Sequence, residues 1–417
     1  MKLQLETPVV IIGAGPSGAG CSIFLSKAGI PHVVLEKETF PRDKICGDAC
    51  SGKTAYVLKT ANPDWLDELL QDNTRQEPSY GIKFVAPNGK ALDIPFKINR
   101  QPGDLATGFT AARLHFDHFL FEKMQTPQAT VFQDVSIQKI SRNDEGTVVV
   151  QFSSGETEYT LRAQIIVGAD GDKSLVKKQF APAENPKSNS VGLRAYYDGV
   201  TGFNDENFLE LHFLKEVLPG YFWIFPLPNG RANVGVGMLS EVVREKKINL
   251  RQVMMRAIQQ NPAIAHRFKN AALTDKIQGW GLPMAGEKIG ICGDRFLLVG
   301  DAASLIDPFS GEGIGNALYS GMLAAKSIEH AMHQQRFEGA FFREHYEAVL
   351  YGRLSGEIKI SNTLQRLCRH PWIFNFIVNK AHKSPALRTT ISGMFTDTDL
   401  RGQLNKPSFY WKILTNR

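Results

Sequence analysis

Three things are scarce in this 417-residue chain, and each scarcity excludes something. Cysteine occurs five times, at Cys21, Cys46, Cys50, Cys292 and Cys368. That number is odd and the positions are widely spread, so a secreted disulfide framework is excluded and a reducing, cytoplasmic setting is expected. Long uncharged runs are also rare. Residues 7–26 carry no charge, but six of them are Gly or Pro, and neither a basic leader nor a cleavage site accompanies them. No signal peptide and no membrane span are expected. Charge of one sign is the third. A net charge of +6 with no dense Lys/Arg run excludes a nucleic-acid partner, while it permits an anionic substrate or anionic lipid headgroups. No internal repeat or low-complexity tract interrupts the chain, and no metal is expected.

What is present begins with Val9-Val10-Ile11-Ile12-Gly13-Ala14-Gly15-Pro16-Ser17-Gly18-Ala19-Gly20. An apolar run that reads as a buried strand stops at a Gly-x-Gly-x-x-Gly turn. A helix of small residues follows to about Ala28, and a second apolar run, Val33-Val34-Leu35, ends in Glu36. A dinucleotide-binding crossover needs this order. Gly13 permits the tight turn, Gly15 lets backbone approach a pyrophosphate, and Gly18 lets helix and strand pack closely. Pro16 and Ser17 open a helix whose free N–H groups attract phosphate. Glu36, 23 residues after Gly13, is placed to accept from ribose hydroxyls, with Lys37 beside it.

Further along, residues 76–104 read as a hairpin, with Pro87-Asn88-Gly89-Lys90 at its turn. Leu114, Phe116, Phe119 and Leu120 fall at helical spacing, which starts a helix near Arg113, either a phosphate contact or a solvated helix-end charge. Residues 131–150 give two strands, and Ile165-Ile166-Val167 runs into Gly168-Ala169-Asp170-Gly171. From about 185 to 280 the pattern is strand-rich and aromatic, with a helix at about 250–260, and indicates an antiparallel sheet. Phe296-Leu297-Leu298-Val299 ends in Gly300-Asp301, and Asp307-Pro308-Phe309-Ser310-Gly311-Glu312-Gly313-Ile314-Gly315 opens a long helix. Residues 333–417 are helical in pattern and rich in aromatics and bases.

Together, the N-terminal fingerprint with Glu36, the Asp170 turn and the Gly300-Asp301 segment with its Gly-rich helix start resemble the flavin-binding signature of the p-hydroxybenzoate hydroxylase-like FAD superfamily. The resemblance implies FAD held by Gly13, Gly15, Pro16, Ser17, Gly18, Glu36, Lys37, Arg113, Asp170, Gly300, Asp301, Pro308, Gly311, Gly313 and Ile314. It also implies an α/β architecture. A Rossmann-type FAD domain, discontinuous over 1–75, 105–180 and 281–332 around a parallel sheet, would receive an inserted antiparallel substrate domain at 76–104 and 181–280. A helical C-terminal region at 333–417 would follow.

Two further stretches narrow the resemblance. Lys44-Ile45-Cys46-Gly47-Asp48-Ala49 resembles the Lys-x-Cys-Gly-Asp-Ala stretch of the geranylgeranyl reductase family. Tyr221-Phe222-Trp223-Ile224-Phe225-Pro226 is similar to that family's Tyr-x-Trp-x-Phe-Pro motif, although Pro219 stands one residue closer to Tyr221 than the family pattern has it. The implied activity is reduction of carbon–carbon double bonds in a prenyl lipid chain by hydride from the N5 atom of reduced flavin, with NAD(P)H or a ferredoxin-like donor as reductant. Cys46 and Gly47 would sit by the flavin, and Tyr221, Trp223, Phe225 and Pro226 would line the prenyl tunnel. Cys46 and Tyr221 are the two proton-donor candidates the motifs offer. The alternatives are a hydroxylating monooxygenase, a halogenase whose Trp-x-Trp-x-Ile-Pro motif is partly mimicked at 221–226, and a dithiol enzyme. The last places four residues between its cysteines, where Cys46 and Cys50 have three. A flavoprotein that carries or senses a lipid is a further alternative.

A monomer is expected. A long apolar substrate raises membrane contact, and residues 367–378 and 409–414 combine aromatics with flanking bases. Each is either a peripheral surface segment or a helix packed on the sheet domain.

Overall fold

The computed structural model describes residues 2–97, 100–101, 103–181, 189–384 and 388. The N-terminal apolar run forms strand Lys2–Ile12, longer than the run itself and central in its sheet. It pairs in parallel with Thr157–Gly168 on one side and His32–Leu35 on the other, with Val10 opposite Ile166 and Val33. Phe296–Leu298 and Ala129–Phe132 extend the parallel set outward. Val9, Val10, Ile11, Val34, Ile165, Ile166 and Val167 are all fully buried, as β-branched runs in a sheet covered on both faces should be. An antiparallel pair, Val135–Arg142 and Val148–Ser154, leads into Thr157–Gly168.

The small residues expected in the first helix have a packing cause. Helix Pro16–Lys27 crosses helix Ile314–Gln334 at close range: a Cβ on Gly20 would stand 2.8 Å from the Leu318 carbonyl oxygen, and one on Gly321 would overlap the Ser17 carbonyl. At the turn, Gly13 has φ +100, and a Cβ there would lie 2.5 Å from the Ala169 oxygen. The turns after Ile12 and Gly168 therefore back directly onto each other, and only glycine fits between them.

The second sheet runs in the order Ala272–Leu273, Asn189–Asp198, Arg231–Leu239, Tyr221–Leu227, Leu209–His212, Gly81–Val85, Ala91–Pro95, with Gln278–Pro283 also on Asn189–Asp198. It is antiparallel except at one seam, where Leu209–His212 runs parallel to Gly81–Val85. The 81–95 hairpin is thus stitched onto the sheet by a strand more than a hundred residues later. Gln76–Ser79, expected as part of that hairpin, instead pairs with Gly108–Ala111, which also carries Ala49–Cys50. Helices Ala348–Leu367 and Pro371–Lys383 close the described chain, and the 409–414 segment lies outside the described residues. No described helix is long and apolar enough to cross a membrane.

The glycine turn supplies a stability test. A Cβ at Gly18 would overlap the Gly13 carbonyl oxygen, which is backbone and cannot swing away. Gly18→Ala is expected to destabilise the protein by about 1–3 kcal/mol, as overpacking does, read as a fall in the thermal unfolding midpoint; an unchanged midpoint would contradict the packing described.

Candidate active site

One cavity of about 1190 Å³ runs between the two sheets. Sites for drug-sized ligands occupy roughly 300–1,000 Å³, so this one has room for more than a compact ligand. Its first part is built on the glycine turn. Gly15 is the N-cap of helix Pro16–Lys27, and the helix has neither a side-chain cap nor an acid in its first turn. Its leading N–H groups face the cavity that Gly13, Gly15, Pro16 and Ser17 line. Arg42 reaches the same place, since a Cβ on Gly15 would be 3.6 Å from its guanidinium. Arg42 and Arg113 share the carboxylate of Asp117, at 2.6 Å from Arg42 and at 2.5 and 2.6 Å from Arg113. A buried guanidinium (Arg113) and a half-buried one (Arg42) on one carboxylate leave a local positive excess, which suits a diphosphate.

Glu36 is buried, and each oxygen takes one backbone N–H: Oε2 from Ala14 at 2.7 Å and Oε1 from Glu38 at 3.0 Å. Each oxygen keeps a lone pair for a ribose hydroxyl. Lys37 stands at the rim with its side chain largely exposed. Asp170 also lines the cavity, but its carboxylate is committed to the start of the next helix, accepting from Ser174 Oγ at 2.5 Å and Leu175 N at 2.6 Å. Asp301 lines the middle of the cavity; burial pushes its carboxyl up, and Lys44 and Arg113 oppose the rise.

Gly18, Gly300 and Pro226, all expected as contacts, lie behind the cavity surface. Gly18 and Gly300 make room: a Cβ on Gly300, whose φ is +59, would come within 2.8 Å of Ser17 Oγ. Pro226 serves through its carbonyl, which accepts from Thr110 Oγ1.

Pro308, Gly311, Gly313 and Ile314 line the far side. Helix Ile314–Gln334 points its start at the cavity, though Glu312 already accepts from Gly315 N at 2.6 Å. Opposite stands the aromatic row of strand Tyr221–Leu227. Tyr221, Trp223 and Phe225 alternate onto the cavity face, with successive ring centroids 6.2 Å apart. Loop 44–49 packs on this row, for a Cβ on Gly47 would be 3.2 Å from Phe225 and 3.7 Å from Trp223 Nε1. Cys46 sits in that loop beside Arg113. Burial pushes its thiol up, which Arg113 partly offsets. Cys50 is fully buried, and burial raises its thiol well above the usual range, which disfavours the thiolate that dithiol chemistry needs. Tyr221 donates its hydroxyl proton to the Ser310 carbonyl at 2.6 Å, and burial raises its pKa. Neither proton-donor candidate therefore presents an acidic proton to the cavity.

Several residues at the site are given no role by the motif reading. Arg42, outside every motif, and Lys44, the first residue of the Cys46 stretch, line the cavity, and Lys44 lies 3.5 Å over the Trp280 ring with its pKa lowered by burial to about 8. Asn233 is fully buried behind Trp223, whose indole N–H it accepts at 2.9 Å. Asp48 is a fixed residue of the Cys46 motif, to which that reading assigns no role. Gly235 would overlap Trp223 if it bore a Cβ, so this glycine is what lets the indole lie across its strand.

An uncapped helix start, a cation pair, a buried ribose acceptor and a glycine-lined far wall in one elongated cavity fit an FAD. The chain is an FAD-dependent oxidoreductase. A model of the FAD binding domain matches residues 6–338, and the chain belongs to that family. It is similar to a menaquinone reductase of Mycobacterium tuberculosis, at 30% identity over 79% of this chain and 78% of the relative. It is also similar to digeranylgeranylglycerophospholipid reductase 2 of Methanopyrus kandleri, at 28% identity over 82% of each. Among solved structures, a geranylgeranyl bacteriochlorophyll reductase-like protein of Thermoplasma acidophilum shares the fold, with TM-score 0.80, 19% identity and coverage of 96% of this chain and 99% of that one. Flavin-dependent halogenases share the fold as well.

Glu36→Ala removes the ribose acceptor. Hydrogen bonds to a charged group contribute about 1.5–3 kcal/mol, so FAD affinity should fall about 10- to 100-fold. Titration of apoprotein by flavin fluorescence checks it, and an unchanged affinity would remove Glu36 from the site.

Proposed function

We propose that the protein reduces carbon–carbon double bonds of a lipid carrying an unsaturated prenyl chain. The observation that carries this reading is the apolar part of the cavity's lining. Besides Tyr221, Trp223 and Phe225, the same cavity is lined by Leu209, Leu211 and Phe96 and by Ile360 and Leu364 of helix Ala348–Leu367. Apolar walls of this kind suit an extended hydrocarbon, whose burial contributes about 25 cal/mol per Å². A compact aromatic substrate would leave much of that surface unfilled. The relatives named for reduction of menaquinone and of digeranylgeranylglycerophospholipid support the same direction.

FAD, once reduced by NAD(P)H or a ferredoxin-like donor, supplies the hydride. The chain's own residues supply the rest: the 44–49 loop and the aromatic row hold the chain against the cradle and exclude water, and a side chain must deliver the second hydrogen as a proton.

Substrate supply from a membrane surface belongs to this reading. Helix Pro371–Lys383 buries Phe374, Val378 and Ala381 in the apolar cluster that also holds Trp223 and Phe225, with Phe374 4.2 Å from Phe213 between ring centroids. Its other face leaves Trp372 70% and Phe376 45% exposed, one turn apart, among Arg366, Arg369, Lys380 and Lys383. Exposed aromatics ringed by cations match an anionic lipid surface.

Two outcomes are expected. Anaerobic incubation of the reduced enzyme with a geranylgeranyl lipid should give products with two added hydrogens per reduced bond by mass spectrometry; recovery of unchanged lipid would contradict the function. The protein should sediment with anionic vesicles at low salt, and Trp372→Ala with Phe376→Ala should leave it in the supernatant. Equal sedimentation of the variant would dismiss this helix as the contact.

A further inference from the structure

The group that delivers the proton is the open position in the chemistry above, and the inference drawn here rests on that reading of the function. Loop 44–49 places Asp48 on the cavity with φ +65, in the left-handed region. The side chain is completely buried. Oδ2 accepts two hydrogen bonds, from Tyr196 O–H at 2.7 Å and from Asn233 Nδ2–H at 2.8 Å. Oδ1 is buried and has no hydrogen-bonding partner among the described residues. Asn233 Nδ2 also donates to the Cys46 carbonyl at 2.8 Å, and its Oδ1 takes the Trp223 indole N–H. One carboxyl is thus bound into both the loop by the flavin cradle and the aromatic row.

We propose that Asp48 is the proton donor for alkene reduction, carrying its proton on Oδ1 and releasing it to a carbon of the bound chain. The hydrogen-bond inventory assigns the proton. A carboxyl oxygen that already accepts from two donors is the poorer place for a third hydrogen, so the acid form carries it on Oδ1. In the step, the Asp48 O–H bond breaks and its hydrogen forms a C–H bond at one alkene carbon. The other carbon would receive the hydride, with both electrons, that a reduced FAD bound in the cradle would supply, so that the flavin would end oxidised. The product is a C–C single bond, and Asp48 is left as a carboxylate that water reprotonates before the next turnover. Tyr196 and Asn233 are in place to hold that carboxylate as its charge appears, an arrangement that favours the transition state.

The surroundings set the acidity near the working range. Burial raises the Asp48 carboxyl to about 6, against the pull of Tyr196, Asn233 and Arg194, while Asp43 pushes it further up. From its own loop Cys46 also faces it, and Ala111 N binds its backbone carbonyl at 3.0 Å. General acids work best with a pKa near the operating pH. Tyr221 and Cys46 are both raised away from that range, and Lys44 is occupied over Trp280.

Asp48→Asn keeps the shape and removes the acidic proton. In pre-reduced enzyme mixed anaerobically with a geranylgeranyl lipid, single-turnover reduction is expected to fall about 10²- to 10⁴-fold, the usual contribution of a general acid, with FAD and lipid affinity unchanged. By ¹³C NMR of protein labelled at Asp carboxyl carbons, one resonance should titrate near pH 6 in wild type and be missing from the variant. Tyr196→Phe removes a donor that favours the carboxylate, so it should move this titration and the high-pH fall in rate upward together. If wild type reduces no lipid, the function reading fails. If wild type is active and Asp48→Asn matches its rate, or if Tyr196→Phe leaves the pH profile in place, the assignment of Asp48 fails.

Discussion

A helix that starts without a side-chain cap leaves its first N–H groups unsatisfied, and that constraint organises this molecule. Helix Pro16–Lys27 begins at Gly15 with no acid and no capping hydroxyl, so its partner must come from outside the chain. Everything nearby serves that end. Gly13 and Gly18 bring backbones together where a Cβ would collide, Gly20 and Gly321 let a second helix press in, and Arg42 and Arg113 converge on Asp117 at the same spot. The parallel sheet holds the turn, and the turn presents those free N–H groups to the cavity.

The second dependence is between the sheets. Loop 44–49 leaves the parallel sheet and lies against the aromatic row of the other one, with Gly47 touching Phe225 and Trp223. Asp48, Asn233 and Tyr196 make that junction polar and fully buried, and Arg194 ties it to Asp43 at 2.6 Å. Buried polar groups of this kind are costly unless bonded. Their presence at the seam between cradle and aromatic row is where chemistry and architecture coincide.

The parallel sheet, the FAD cradle and the aromatic row could be read from the sequence because each rests on local patterning: apolar runs ended by glycine, an acid at fixed spacing, aromatics at every second residue of a strand. What could not be read depends on distant pairings. The parallel seam joining Leu209–His212 to Gly81–Val85 has no local signature, and neither does the switch of Gln76–Ser79 to another sheet. Asn233 belongs to none of the motifs, and only the fold sets it between Trp223 and Asp48. Tyr221 is a case of another kind: it lines the cavity where the motif placed it, and only the fold shows that its hydroxyl donates to the Ser310 carbonyl.

The most direct test of a lipid-reducing flavoenzyme follows the flavin itself. The enzyme is reduced anaerobically and mixed with a geranylgeranyl lipid in detergent while the oxidised-flavin absorbance is recorded. The account predicts that this absorbance returns in proportion to the lipid added, with no oxygen present. A flavin that stays reduced until oxygen is admitted would contradict it.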